Sequence, residues 1–274
     1  MRGKGRLLAR VLGCSLITLG CAAAAFADEA MDLAKRRQNP IPDLASLSFD
    51  NGTNFGAGSH HRVQNELDIR PLVPFRPTED WYLVTRTIAP VFRQPHEDSP
   101  TGEIWGLGDI TFTGFLAPAK TSTVTWGAGP VVTLPTATRD ALGSRKWSLG
   151  PSAAAIVSPG DWVIGVLAQN VWSVAGNNDR PDVSQFLLQY SVNYNFPDGW
   201  YLTSGPTITA DWKAEAARRW VVPVGGGFGK VVTLGRQPMA LEAQAFYNLE
   251  RGADVGNWSL SLLLQLLFPQ GGGM

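Results

Sequence analysis

Beyond residue 21 the chain has no cysteine; Cys14 and Cys21 are the only two. A mature chain cut after residue 27 therefore carries no thiol, which excludes disulfides, thiol catalysis and thiolate metal sites. Long apolar runs are missing too. Past residue 24 nothing approaches the roughly 20 residues of a membrane-crossing helix, and mean hydropathy is −0.03. Charge is scarce and balanced, with 23 Lys plus Arg against 23 Asp plus Glu. That leaves no basic field for nucleic acid. The three histidines, His60, His61 and His96, come with no Gly-x-Ser-x-Gly elbow and no further ligands at metal spacing. What the chain does have is 44% hydrophobic residues, which excludes disorder, and ten tryptophans.

The first 27 residues read as an address. Arg2, Lys4, Arg6 and Arg10 form a basic start, Val11 to Ala24 is apolar, and Ala25-Phe26-Ala27 is a small-x-small cleavage site. This is the pattern of a secretory signal peptide. Alternatives are an uncleaved anchor, for which the apolar stretch is short, and a lipidation site at Leu19-Gly20-Cys21. Cleavage removes four positive charges and no negative ones, leaving 19 positive and 23 negative. Residues 28–43 form a short periplasmic segment in which Glu29 to Gln38 predicts a helix, stopped by Asn39-Pro40 and Pro42.

From residue 44 the rhythm changes to period two. Trp258, Leu260, Leu262, Leu264, Leu266 and Phe268 share one parity; Ser259, Ser261 and Gln265 share the other. Phe186, Leu188, Tyr190, Val192 and Tyr194 oppose Gln185, Gln189, Ser191 and Asn193 in the same way. Such alternation means one face in an apolar medium and one in a polar medium. The runs are about twice the usual strand length of 5–6 residues, long enough to cross a bilayer at a tilt.

Short turns recur near Asp80, Ala119, Asp161, Asp198 and Gln237, spaced 39, 42, 37 and 39 residues apart. Longer polar connections lie between them. This is a repeated hairpin with the turn asymmetry of an outer-membrane barrel. Twelve strands result, near 44–55, 62–75, 80–93, 103–117, 122–135, 145–158, 161–174, 183–196, 199–212, 218–233, 238–250 and 257–268. The expected fold is all-β: a single closed antiparallel transmembrane β-barrel over 44–268, followed by a tail at 269–274. An even count puts both ends on the periplasmic side. Pro71, Pro90, Pro130, Pro151, Pro206 and Pro223 fall inside proposed strands; Pro90, Pro130 and Pro206 lie at similar heights, which predicts bulges, or else a barrel of ten strands. Trp81, Trp126, Trp162, Trp200 and Trp258 are expected in an interfacial aromatic girdle.

If the apolar parities face lipid, the lumen receives Arg62, Glu66, Asp68, Arg70, Arg86, Asp109, Gln185, Gln189, Asn193, Asp211, Glu242 and Gln244. Arg86 belongs there because Arg at mid-depth on the lipid face costs about 2–4 kcal/mol. A polar lumen reads as a passage for small solutes, with a plugged structural or adhesive barrel as the alternative. A hydrolase built on Ser59 and His60 is the weaker rival, since sequence neighbours do not make a catalytic pair. No cofactor or metal is expected. The expected partners are outer-membrane lipid, the outer-membrane assembly machinery and a small-molecule solute. The Gly225 to Gly229 run opens no helix, so it reads as close wall packing and not a phosphate cradle.

Several segments together resemble a family of Gram-negative envelope proteins labelled "putative MetA-pathway of phenol degradation", transporter, or "neuromedin U". They are Gln38-Asn39-Pro40, Gly106-Leu107-Gly108-Asp109, Leu134-Pro135-Thr136-Ala137-Thr138, Lys146-Trp147-Ser148-Leu149-Gly150-Pro151, Asp179-Arg180-Pro181-Asp182-Val183, and Asn195-Phe196-Pro197-Asp198-Gly199-Trp200-Tyr201-Leu202. The resemblance covers about residues 38–268. It implies an outer-membrane barrel that transports or supports the use of small aromatic or hydrophobic solutes, with no catalytic residues to carry over.

Overall fold

The computed structural model describes residues 30–39, 44–96, 99, 101–120 and 123–269. The signal-peptide reading of 1–27 lies outside these residues. Twelve wall strands follow a short helix, α1 (30–38). They are β1 (Leu44–Ala57), β2 (Arg62–Phe75), β3 (Trp81–Pro95), β4 (Glu103–Leu107 and Ile110–Pro118), β5 (Val124–Leu134) and β6 (Lys146–Val157). The rest are β7 (Trp162–Gly176), β8 (Ser184–Asn195), β9 (Trp200–Ser204 and Thr207–Asp211), β10 (Trp220–Leu234), β11 (Gln237–Glu250) and β12 (Trp258–Pro269). Each pairs antiparallel with its neighbours in sequence, and β1 pairs with β12, so the sheet closes without an edge. Closure leaves no strand edge facing lipid.

Alternation decides which face each side chain takes. Leu241, Leu260 and Leu262 are exposed outside, while Gln244 on the inner parity is buried. Tryptophan stands in two rings and not one. Trp81, Trp126, Trp162 and Trp200 are exposed at the short-turn end. Trp105, Trp147, Trp172, Trp212 and Trp258 are exposed at the long-loop end. Trp258 thus belongs to the ring opposite the other four expected girdle residues, because β12 starts from a long loop; its ring meets Tyr247 at 4.9 Å.

The prolines act differently from the expected bulges. Only Pro223 sits at a register shift. Pro206 interrupts β9, and Pro90 stands opposite the interruption of β4, where Gly108 N donates to the Pro90 carbonyl at 2.9 Å. Beside Pro71, Pro130 and Pro151 one ladder loses pairing while the register continues unchanged, from Ile69↔Ala89 to Leu72↔Arg86, from Thr113↔Val131 to Leu116↔Ala128, and from Leu149↔Trp172 to Ser152↔Gln169. Each missing N–H therefore leaves a local gap in the ladder, and the strand count stays at twelve.

Candidate functional site

The lumen begins where α1 ends. Helix α1 docks inside the barrel at the short-turn end. Its Ala34 is fully buried against Leu44, Tyr201, Val231, Ala240 and Leu267. Polar ties surround this contact. Lys35 Nζ reaches Asp161 at 2.9 Å, Gln38 exchanges hydrogen bonds with Asn195 at 3.0 Å, and Asn39 donates to Thr125 at 3.2 Å. Arg37 pairs with Glu242 at 2.9 Å, donates to Gln265 at 2.9 Å and contacts the Tyr201 hydroxyl. These partners lie on β5, β8, β9, β11, β12 and the turn before β7, so the helix is held from much of the rim.

Above the helix lie two adjoining cavities of about 710 and 760 Å³. Glu66, Asp68, Arg70 and Gln189 line both. The first cavity also touches Asn193, Glu242 and Gln244; the second touches Arg86, Asp109, Gln185 and Asp211. Eleven of the twelve lumen candidates are therefore brought to these cavities. Arg62 is not: it sits at the outer rim, donating to the Gly102 carbonyl at 2.6 Å and to Glu103 at 3.2 Å. A register shift between Phe55 and Ala57 ends the regular parity there.

At mid-depth Arg70 bridges Asp50 at 2.7 Å and Asp68 at 2.5 Å, and Ser261 donates to Asp50 at 2.8 Å. The break in β9 is repaired from inside the barrel, where Gly205 N donates to Gln244 Oε1 at 3.1 Å and Gln244 donates to Glu242 at 2.6 Å. An interrupted strand at membrane depth requires such a partner. The glycine run in β10 serves close approach: a Cβ at Gly229 would collide with the Tyr201 ring.

His60 and His61 are exposed in the turn between β1 and β2, and no hydrogen bond joins Ser59 to His60 among the described residues. Among those residues no three His, Cys, Asp or Glu side chains cluster to hold a metal.

The family model described as "Putative MetA-pathway of phenol degradation" matches residues 49–256. The chain belongs to this family. Among curated proteins none matches. Among solved structures, an outer membrane channel from Pseudomonas putida F1 is similar at 17% identity and a TM-score of 0.64, covering 84% of this chain and 96% of that one. The NanC porin is similar at 11% identity and a TM-score of 0.53, covering 81% and 98%. At these identities the likeness establishes the fold, that of an outer-membrane barrel.

Four of the segments that carry the resemblance meet at the long-loop mouth. The chain 135–145 folds inward and Leu142 is buried against the inner wall. Thr138 N donates to the Leu107 carbonyl and its hydroxyl accepts from Leu107 N at 3.1 Å. The Thr136 hydroxyl accepts from Ile110 N at 2.9 Å and donates to the Gly108 carbonyl at 3.1 Å, so the two threonines close the gap in β4. Gly106 must lack a Cβ because Thr138 and Leu142 occupy its place. Asp109 accepts from Ala137 N at 3.1 Å, Ser144 N at 2.7 Å and the Ser144 hydroxyl at 2.9 Å. Arg180 donates to the carbonyls of Asp140 and Gly143, both at 2.8 Å. Lys146 bonds Asp182 at 3.2 Å and holds its carboxyl below the usual carboxylate range. Asp109 lines the lumen as its parity predicts, and it also pins this loop, a role set by contacts across 28 and 35 residues of sequence.

Proposed function

We propose that this MetA-family chain is an outer-membrane channel for small solutes of aromatic or hydrophobic character, stoppered at rest by α1. The observation that carries the reading is the pair of adjoining polar cavities inside a closed wall. A water-bearing lumen is the feature a passage needs. The short-turn end faces the periplasm, as in bacterial barrels generally, so α1 stands at the exit. The named resemblances to a channel and a porin support the same class. The family's phenol description and an apolar inner patch at Leu72, Val84, Phe115 and Leu167 support the solute chemistry. Export through a cleaved signal peptide and insertion by the outer-membrane assembly machinery belong to this proposal.

A second reading, a permanently plugged structural or adhesive barrel, is favoured by the docking of α1. Planar-bilayer conductance separates the two. We expect little current from the full chain and clear current after deletion of residues 30–38. No current from either, with the boiled and unboiled gel-mobility difference intact, would favour the plugged barrel. Ester or lipid hydrolysis lost on replacing His60 would favour an enzyme instead.

A further inference from the structure

Inner-face positions along β3 run Tyr82, Val84, Arg86, Ile88, Pro90 and Phe92. One cation thus interrupts an otherwise mostly apolar stripe from the long-loop mouth to the lower lumen. Arg86 is the cross-strand neighbour of Leu72 on β2 and Thr113 on β4. Among the described residues it makes no hydrogen bond and no ion pair. The acids that face it, Asp68 and Asp50, are already bridged by Arg70. The half-buried guanidinium faces the cavity with no bonded protein partner, so its donors are free to take an incoming anion.

Beside Arg86 opens a recess of about 250 Å³, lined by Leu72, Val84, Phe115, Ala154 and Leu167, with Gln189 and Ser191 at its polar edge. A dry cavity of about 150 Å³ suffices for one benzene ring. We propose that Arg86 and this recess form a binding site for an aromatic monocarboxylate, the carboxylate on the guanidinium and the ring in the recess. This rests on the channel reading and deepens it. A planar guanidinium offers two parallel donors to a carboxylate, a fit that a neutral aromatic cannot use. The apolar side chains offer nothing to a small carboxylate without a ring. The site therefore selects for both features on one molecule.

Titration calorimetry on the purified full chain in detergent tests this with three probes: benzoate, benzyl alcohol and acetate. We expect benzoate to bind about tenfold or more tightly than either of the others. Arg86→Gln should reduce benzoate to the level of benzyl alcohol, and Arg86→Lys should keep part of the preference. Absence of benzoate binding, equal binding of benzoate and acetate, or benzoate affinity unchanged in Arg86→Gln would each overturn the site. The last outcome would mean that the carboxylate does not sit on Arg86. Should Arg86→Gln not fold, the three-probe comparison on the unaltered chain still decides. Failure of the channel reading shows separately, as absent conductance after deletion of residues 30–38 while the calorimetry is unaffected.

Discussion

Replacing Arg37 with alanine should loosen the stopper without breaking the wall. Arg37 and Glu242 form an ion pair at 2.9 Å in which each side chain is only 9% exposed. Breaking a buried pair by removing one partner costs about 3–5 kcal/mol. Here the stranded carboxylate keeps two donors, Tyr201 at 3.0 Å and Gln244 at 2.6 Å, which places the loss at the lower end, about 3 kcal/mol. The other polar ties of α1, such as Lys35 to Asp161, are partly solvated and worth at most about 1 kcal/mol each. The undocked population should then rise roughly a hundredfold. Lys35 and Arg36 remain in the variant as trypsin sites, and cleavage there tracks the open population when redocking is fast. The expected result is much faster cleavage after Lys35 or Arg36, read by mass spectrometry, with the gel-mobility difference preserved. Cleavage at the original rate would refute the claim that this pair holds the helix. Glu242→Gln should act in the same direction, because it leaves the Arg37 guanidinium buried without an anion.

Three further outcomes follow from the geometry. Asp109→Ala removes three hydrogen bonds to 135–145, so protease cleavage at Arg139 and Arg145 should accelerate while the barrel's gel mobility holds. Leu262→Arg puts a cation on the lipid face at mid-strand and should lower folding stability in vesicles by about 2–4 kcal/mol in a urea titration. The Lys146 to Asp182 tie has a depressed carboxyl, so it is fully present above the ordinary carboxylate range and lost as pH falls through the lowered value. Hydrogen exchange in 177–183, corrected for intrinsic rate, should be flat above the ordinary Asp value of about 4 and speed up as pH falls below it, and Asp182→Asn should remove that dependence.

The wall was legible because lipid imposes one rule on every strand: apolar outward, at every second position, for the full crossing. Turn chemistry added the count. The predicted helix over 29–38 matches α1, but its docking inside the barrel escaped the reading. A signal was available. Leu44, Val231 and Leu267 are apolar residues on the inward parity near the short-turn ends, where alternation alone expects polar ones, and these receive Ala34. Leu72, Val84 and Phe115 likewise break the polar parity and form the inner apolar patch. Arg62 and Trp258 were misplaced for a different reason. Height along a strand depends on where loops and register shifts fall, and periodicity carries no information about either. The pinned mouth was hidden because Asp109 and Ser144 are 35 residues apart. Only the closed barrel brings them into contact.

The two tryptophan rings give the protein a gauge for its surroundings. On β7, Trp162 and Trp172 share the outer parity ten residues apart. At about 3.3 Å per residue and a tilt near 40°, that separation is about 25 Å along the barrel axis. The span suits the thin hydrocarbon core of a bacterial outer membrane better than a typical bilayer core of about 30 Å. In longer-chain lipids the membrane would have to pinch inward around the barrel. Reconstitution should accordingly be most efficient in short-chain vesicles, and lipid length becomes a variable that any flux measurement on this protein must hold fixed.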